Sequence, residues 1–311
     1  MLPYIGSGHY CYANSSSMLL ETIGEKISPA VLEVLSGVGV GAIWYEEQKV
    51  IYFGQVIPDR GVSHALELLG FCWTERSGDA EGEPPLAELR RDLEKGPVLL
   101  GPLDMGYLTY NPNAQYLGGA DHFVLAYEMD DQAIYVHDPA GFPFVSLPLS
   151  QFVLAWKAEK IFDGLFSYHY WTAPERVGSP KEEELVANAL RLYQGIYQES
   201  AAAEPNPSIL LYGKEAILRV VKRMEEEGGL SPAELGHLSY FAFQLAARRA
   251  MDFAVFFSKH EPELAAIKEK QAKQFGRCHT LTVEKNAKEL ADAMRVLADI
   301  EEQFRQVVCA K

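Results

Sequence analysis

The chain has 311 residues, of which 48% are hydrophobic and 23% are charged, and its formal net charge is −15. Such a composition is typical of a globular protein that buries a substantial core in one large or two ordinary domains. The sequence has no run of about 18 apolar residues, no N-terminal signal and no basic stripe beside aromatic residues, so we expect a cytoplasmic protein that binds neither membranes nor nucleic acid.

The first predicted helix begins at a cysteine. Cys11 follows the glycine-punctuated loop Gly6–Tyr10 and precedes small and apolar residues with helical spacing, among them Ala13 and Leu20. A helix N-terminus stabilises a thiolate and lowers the pKa of a cysteine from ~8.5 toward ~3.5–7.5, which makes the sulfur a nucleophile. The alternative is a small buried cysteine that only packs.

Short helices and strands follow up to the middle of the chain. Proline near the first helical position indicates helix starts, and β-branched and aromatic residues indicate strands. We predict helices from Ser28 and over 63–69 and 85–94, a region of strand and loop over 38–53, and strands over 71–73 and 97–103. Cys72, between two aromatic residues, is expected to be buried and inert.

A predicted β-hairpin carries the next candidate residues. One strand begins at His122, Asp130 and Asp131 form the turn, and the returning strand ends at Asp138. In an antiparallel pair, the start of one strand and the end of the next lie close together. Cys11, His122 and Asp138 would then provide a nucleophile, a base and a carboxylate that orients the base.

The remaining elements predict an α+β domain followed by an all-α helical domain. A strand over 142–147, a helix over 149–156 and a strand over 162–171 complete the first domain. A proline-containing linker then predicts two domains, 1–176 and 177–311.

Beyond that boundary the sequence predicts helices alone. Capping boxes at Ser179 and Ser231 open two of them. Further helices are predicted over 209–227, 262–275 and 283–308. An aromatic and apolar stripe on the helix after Ser231 is expected to form core; it consists of Phe241, Phe243, Leu245, Phe253, Phe256 and Phe257.

Five short motifs, in this order, resemble the N-terminal domain of the butirosin-biosynthesis acyltransferase family. They are Gly8-His9-Tyr10-Cys11, Gly96-Pro97-Val98-Leu99-Leu100, Asp104-Met105-Gly106-Tyr107-Leu108, Asp121-His122-Phe123-Val124-Leu125 and Val136-His137-Asp138-Pro139. The chain is also similar, more distantly, to the peptidase domains that remove double-glycine leaders. The resemblance covers about the first 175 residues in register and implies a papain-like cysteine-enzyme domain.

One position departs from the papain-like pattern. Those peptidases carry a glutamine six residues before the cysteine as an oxyanion donor, and here that residue is Ile5. The donors would then be backbone N–H groups, Asn14 or His9. Loss of one such donor costs ~2.7–4 kcal/mol of transition-state stabilisation, which a reactive thioester tolerates better than an amide.

Two residues after a predicted strand are further candidates for binding the substrate. Asp104 and Tyr107 follow a strand end, where they would either line the cleft or only make hydrogen bonds that end the strand. His137 should face the other side of its strand, so it is discounted as the base. The four cysteines include no CxxC pair, and no phosphate-binding loop is present, so we expect no metal and no cofactor.

The charge is divided unevenly along the chain. Residues 1–180 hold 23 acidic and 10 basic side chains, whereas residues 181–311 hold 20 and 18. An acidic surface around His122 would attract a cationic amine, although a solvated face is the commoner case. The C-terminal part has two groups of basic residues: Lys268, Lys270, Lys273 and Arg277, and Lys214, Lys222 and Arg223. One hypothesis is that they dock an acyl carrier protein. The alternative is that they are ordinary solvated helix faces.

These observations favour a cysteine acyltransferase. An acyl thioester would acylate Cys11, His122 would help a small-molecule amine attack, and Asp138 would orient His122. The donor is either a small thioester or one held on an acyl carrier protein. The alternatives are a cysteine peptidase or amidase with the same three residues, and a catalytically silent papain-like scaffold.

Overall fold

The computed structural model describes residues 9–161, 166–203 and 210–311, which form two compact units. The sheet unit contains Tyr10–Leu32 and Ile57–Pro180. The helical unit contains Glu33–Val56 and Lys181–Lys311, and His9 belongs to it. A single boundary between residues 176 and 177 does not describe this division, because Glu33–Val56 folds with the C-terminal part of the chain.

Helices and strands are both abundant, and the fold is mixed α/β. The helices are α1 (Cys11–Glu21), α2 (Pro29–Ser36), α3 (Pro58–Leu68), α4 (Leu86–Leu93), α5 (Leu149–Lys157), α6 (Glu182–Ala202), α7 (Gly213–Glu227), α8 (Pro232–His237), α9 (Phe243–Phe257), α10 (Pro262–Val283) and α11 (Ala287–Cys309). The strands are β1 (Ile43–Tyr45), β2 (Val50–Tyr52), β3 (Phe71–Gly78), β4 (Val98–Asp104), β5 (Asp121–Met129), β6 (Ala133–Asp138), β7 (Phe142–Pro148), β8 (Ser167–Arg176) and β9 (Leu210–Tyr212). No helix of the described ranges is long and apolar enough to cross a membrane.

An antiparallel sheet with the strand order β3-β8-β4-β5-β6-β7 forms the centre of the sheet unit. The predicted hairpin is confirmed, since β5 pairs with β6 and Leu125 lies opposite His137. Its turn is held by Asp130, whose Oδ1 accepts hydrogen bonds from the N–H groups of Gln132 (2.7 Å) and Ala133 (2.8 Å). The predicted strand over 162–171 includes residues 162–165, which lie outside the described part of the chain.

Helices pack on both faces of this sheet. On one face, Phe152 and Trp156 of α5 join a buried core with alternate residues of the strands, such as Val124. On the other face, the rings of Tyr12 in α1 and Phe123 in β5 meet edge to face, with their centroids 6.0 Å apart. Because strand residues alternate between faces, β5 contributes apolar side chains to both layers and is buried along its first half.

A three-stranded antiparallel sheet, with the order β2-β1-β9, belongs to the helical unit. The C-terminal part is predominantly helical as predicted, but it is not all-α, because it contributes β9 to this sheet. The predicted helix over 209–227 begins only at Gly213, because Leu210–Tyr212 pairs with β1 and places Leu211 opposite Trp44. A three-residue apolar run suits either a helix or a strand, and the distant partner decides which forms.

The helices of this unit enclose a core rich in aromatic side chains. Phe53 stacks on Phe243 and meets Phe275 edge to face, at centroid distances of 5.6 and 4.7 Å. The capping box at Ser231 is confirmed, whereas the helix predicted from Ser179 has Lys181 as its N-cap residue. The long helix predicted after Ser231 is divided into α8 and α9 by a π-helical turn, Leu238–Ala242.

Candidate active site

Cys11, His122 and Asp138 come together in the sheet unit, although His122 lies 111 positions after Cys11 in the sequence. His122 Nε2 lies 2.7 Å from Asp138 Oδ1, and both side chains are buried. The Cys11 side chain lies close enough to His122 to raise the pKa of the imidazole. Cys11 itself is half-buried.

Local packing explains how the thiol reaches the histidine. Cys11 is the first residue of α1, and α1 lies against β5. Ser15, one turn further on, is fully buried and donates a hydrogen bond of 3.0 Å from Oγ to the carbonyl oxygen of Phe123. Phe123 directly follows His122, so this bond and the contact between Tyr12 and Phe123 fix the start of the helix beside the imidazole.

The sequence did not identify Tyr110 as part of the site. Asp138 accepts hydrogen bonds from the backbone N–H of Ala140 (2.7 Å) and from the hydroxyl of Tyr110 (2.8 Å), in addition to His122. The Tyr110 ring packs against Phe142, at a centroid distance of 5.8 Å. Tyr110 lies in the loop between β4 and β5, and no periodicity or motif there indicates a contact with a residue 28 positions away.

The three ionisable groups influence one another. Burial alone would lower the pKa of His122, but its hydrogen bonds to Asp138 and Cys11 outweigh burial and raise the pKa to about 10. Burial raises the pKa of Asp138, but the hydrogen bonds from His122, Ala140 and Tyr110 outweigh it and hold the pKa below its usual value. At neutral pH the site therefore contains an imidazolium between an ionised carboxylate and the sulfur of Cys11.

The two predicted oxyanion donors lie in different surroundings. Asn14 is half-buried on α1, three residues after Cys11, and therefore shares the helix face of the thiol. The ring of His9 belongs to the helical unit and packs against Phe241, with centroids 5.4 Å apart. Tyr10 provides no side-chain cap for α1. Ile5 lies outside the described residues.

Asp104 and Tyr107 make contacts within the fold. Oδ1 of Asp104 accepts hydrogen bonds from the N–H groups of Gly106 (2.8 Å) and Gly119 (2.9 Å), which closes the loop between β4 and β5. Its buried Oδ2 has no hydrogen-bond partner among the described residues. The Tyr107 hydroxyl accepts a hydrogen bond of 2.9 Å from Lys160 Nζ. Hydrogen bonding at the strand end accounts for both residues, and a role in binding substrate stays a prediction.

Several acidic residues around His122 have structural partners. Asp130 holds the hairpin turn, Asp131 pairs with Arg90 at 3.1 Å, and Asp138 faces His122. Together with Asp104, these carboxylates account for four of the six acidic residues in 101–150. The attraction of an amine by this segment therefore stays a prediction that rests on its net charge alone.

Both predicted basic groups contain buried members, which contradicts their use as whole surfaces for docking. Lys268 is 2% exposed, and its ammonium lies 3.8 Å from the centre of the Phe304 ring and 2.9 Å from Gln271 Oε1. Arg223 is 3% exposed and forms a salt bridge with Glu234 at 3.0 Å. Lys270, Lys273 and Arg277 are exposed, but Lys273 pairs with Glu269. Lys214 and Lys222 also have acidic partners.

The other cysteines differ in their exposure. Cys72 is exposed, so the prediction that it is buried was wrong. Its strand, β3, is at the edge of the sheet, where one side of the strand is uncovered. Cys278 is buried, and burial raises its pKa to about 12. The described residues contain no group of three or more His, Cys, Asp or Glu side chains arranged to hold a metal ion.

A second pair of a histidine and a carboxylate lies on the same sheet. His169 Nε2 is 2.9 Å from Glu75 Oε1, which connects β8 to β3. Glu75 Oε2 accepts hydrogen bonds from the side chains of Ser63 (2.6 Å) and Trp73 (3.2 Å). Burial would raise the pKa of Glu75, but the bonds from His169, Ser63 and Trp73 outweigh it and lower the pKa to about 2.

Two comparisons with known proteins place the chain in a family. A family model described as the YobF C-terminal domain matches residues 207–309. Over 305 residues the chain is 41% identical to the uncharacterized protein YobF of Bacillus subtilis (strain 168), and this alignment covers 98% of the chain and 97% of that protein. Neither match is to a butirosin-biosynthesis acyltransferase or a leader peptidase. The chain therefore belongs to the YobF family.

Proposed function

We propose that this protein is a cysteine acyltransferase with a papain-like sheet unit, in which Cys11 carries the acyl group, His122 transfers protons and Asp138 orients His122. One observation carries the proposal: the buried imidazole of His122 contacts both the thiol at the start of α1 and the carboxylate at the end of β6. A nucleophile, a base and an orienting group in this order are the arrangement that covalent catalysis by cysteine requires.

The proposed reaction has two steps. The Cys11 sulfur, having passed its proton to His122, attacks the thioester carbonyl, and the carbon–sulfur bond to the donor breaks. The imidazolium of His122 gives its proton to the departing thiolate. In the second step an amine attacks the acyl group on Cys11, His122 accepts the proton of the amine, and the Cys11 thiolate leaves. The products are the donor thiol and an amide.

The protonation states of the site suit the first step. The raised pKa of His122 keeps the imidazole charged at neutral pH, and a positive charge beside sulfur favours the thiolate. Asp138 is held in place by donors from His122, Ala140 and Tyr110, so the orientation of the imidazole does not depend on one hydrogen bond. No step requires a metal or a redox cofactor.

Formation of an acyl-enzyme tests the proposal directly. The full chain is incubated with the butyryl thioester of N-acetylcysteamine, and the adduct is located by intact mass and peptide mass spectrometry. We expect one butyryl group on the Cys11 peptide. Cys11→Ala should remove the adduct, whereas Cys72→Ala should not. Cys72 is the matched control because it is an exposed cysteine in the same unit.

A second measurement separates transfer from hydrolysis. Release of thiol is followed with and without a panel of primary amines, and the amide product is quantified. An increase in turnover that saturates with amine, with amide as the product, supports transfer. Turnover that is indifferent to amine and yields butyrate indicates a hydrolase. Absence of an adduct and of turnover would indicate a scaffold without activity.

A further inference from the structure

The helical unit contains a cavity of about 170 Å³ that the proposed reaction does not use. Side chains from the ends of α7 and α10 and the starts of α8 and α11 surround it. The lining residues are Met224, Gly228, Gly229, Leu230, Leu235, Leu281, Thr282, Lys285, Ala287 and Leu290. All of them fall within residues 207–309, the part that matches the family model.

Four helix ends surround the cavity, and no side chain fills the space between them. Gly228 and Gly229 follow α7 with φ of 72° and 150°, a conformation in which larger residues are strained, so that turn offers no side chain. The inner part of the cavity is apolar, because the side chains of Met224, Leu281 and Leu290 are buried there. Gly228, Lys285 and Ala287 at its rim are exposed, so the cavity opens to solvent.

The size and the lining limit what can occupy the cavity. A cavity of roughly 150 Å³ lined by Leu, Ile and Phe binds benzene, so the comparable volume here suits one ring or a short hydrocarbon chain. The Thr282 hydroxyl donates a hydrogen bond of 2.8 Å to the carbonyl oxygen of Cys278, so it is left only as an acceptor. The lining therefore favours hydrocarbon over water.

Lys285 determines the expected charge of the ligand. It is the charged residue among those that line the cavity, it is exposed, and it has no ion-pair partner among the described residues. A lysine at the rim of an apolar site keeps its ammonium in water while its methylene groups cover the apolar surface. A ligand with a negative group at the mouth would meet this charge.

We propose that the cavity binds a small monocarboxylic acid, with its ring or short alkyl chain among Met224, Leu281 and Leu290 and its carboxylate beside Lys285. The site lies wholly within the helical unit, and its occupant is distinct from the acyl donor at Cys11. The proposal is therefore independent of the proposed acyl transfer.

Binding is measured on the full chain with sodium benzoate and sodium hexanoate as probes. Benzyl alcohol tests the charge, and acetate tests the hydrocarbon. The methyl resonance of Met224 and the unfolding temperature are followed during titration. We expect saturable shifts of the Met224 methyl and stabilisation by benzoate or hexanoate, weaker binding of benzyl alcohol, and no effect of acetate. No saturable shift with either acid overturns the proposal, and so does equal binding of benzyl alcohol and benzoate.

Two substitutions sharpen the test. Lys285→Gln should weaken benzoate binding about two- to fivefold, the effect of an exposed charge pair, whereas Lys288→Gln should leave it unchanged. Lys288 is the matched control because it is exposed three residues away and does not line the cavity. Leu235→Trp should fill the cavity and abolish binding. Unchanged binding in a folded Leu235→Trp protein would place the ligand elsewhere, and the Met224 signal of the wild-type chain decides the matter if that variant does not fold.

Discussion

Two pairs of a histidine and a carboxylate lie on one sheet, and they differ in what the second side of the imidazole meets. His122 contacts Asp138 on one side and the Cys11 thiol on the other. His169 contacts Glu75, but its Nδ1 has no hydrogen-bond partner among the described residues, and its ring packs on Trp171 at a centroid distance of 4.0 Å. The pairing of a histidine with a carboxylate is therefore not in itself a catalytic site.

The carboxylates differ as well. The side chain of Asp138 is fully buried, whereas that of Glu75 is 35% exposed. Donors to Glu75 come from α3, β3 and β8, so this residue connects structural elements. Donors to Asp138 come from two loops and from the histidine that contacts the thiol. What distinguishes the candidate site is the nucleophile at a helix start beside the imidazole.

The largest expected effect is that of His122→Ala. Loss of a general base lowers the rate of acylation of Cys11 by a model thioester by roughly 10²–10⁴-fold. His169→Ala, the matched change in the other pair, should leave that rate unchanged. Rates are measured by mass spectrometry after rapid quenching. Alkylation of Cys11 by iodoacetamide should slow in His122→Ala and not in His169→Ala. Loss of acylation in His169→Ala but not in His122→Ala would show that His169 is the base.

Asp138→Asn is expected to have a smaller effect. It removes a charged hydrogen-bond acceptor from the imidazole but leaves the base, which corresponds to about a 10- to 100-fold loss of acylation rate. Glu75→Gln provides the control and should keep the wild-type rate. The double variant with His122→Ala should resemble His122→Ala alone, because residues that act as a unit are not additive. Additive losses would show that the two residues act separately.

Tyr110→Phe should cost less again, about two- to tenfold in acylation rate, since it removes one of three donors to Asp138. Tyr135→Phe is a close control, because the Tyr135 hydroxyl donates a hydrogen bond of 2.7 Å to Asp130 in the hairpin turn, away from the thiol. The loss in Tyr110→Phe should grow as the pH falls, because Asp138 then binds a proton more readily. A loss that is independent of pH, or equal in both variants, would indicate general destabilisation.

The smallest expected effect is on the pH dependence of stability. The pKa of His122 is raised to about 10, so its contribution is complete below pH 6.5 and is lost as the pH rises through 10. The pKa of Glu75 is lowered to about 2, so its contribution is complete above pH 4.5 and is lost as the pH falls through 2. Urea-unfolding midpoints across pH should lose their alkaline slope in His122→Ala and their acidic slope in Glu75→Gln. The opposite assignment of slopes would contradict both shifts.

Local patterns in the sequence predicted the elements that carry the candidate site. Apolar segments on either side of a two-aspartate turn predicted the hairpin, and pairing of its strands brings the start of β5 near the end of β6. Tyr110 was beyond such reasoning, because the contact of a loop hydroxyl with Asp138 depends on the whole fold. The exposure of Cys72 likewise depends on the position of β3 at the edge of the sheet.

The spacing of residues along α10 already indicates that Lys268 does not belong to an exposed basic group. Leu264, Lys268, Gln271 and Phe275 follow one another at intervals of four, three and four residues, which places all four on one face of α10. All four are buried, so Lys268 belongs to the core face and not to a basic surface. The polar surroundings of Lys268 are completed from other helices: Glu301 accepts hydrogen bonds from Gln271 and from the hydroxyl of Tyr197.

The pairing of β1 with β9 has a consequence for synthesis on the ribosome. Ile43 lies opposite Tyr212, so the first strand of this sheet is made 169 residues before its partner. At roughly 5–20 residues per second, that delay is roughly 10–30 s. Throughout it, Trp44 and Ile51, both buried in the finished fold, have no completed core to enter. A nascent chain of this length would offer them to chaperones, while the sheet unit, complete at Pro180, is free to fold first.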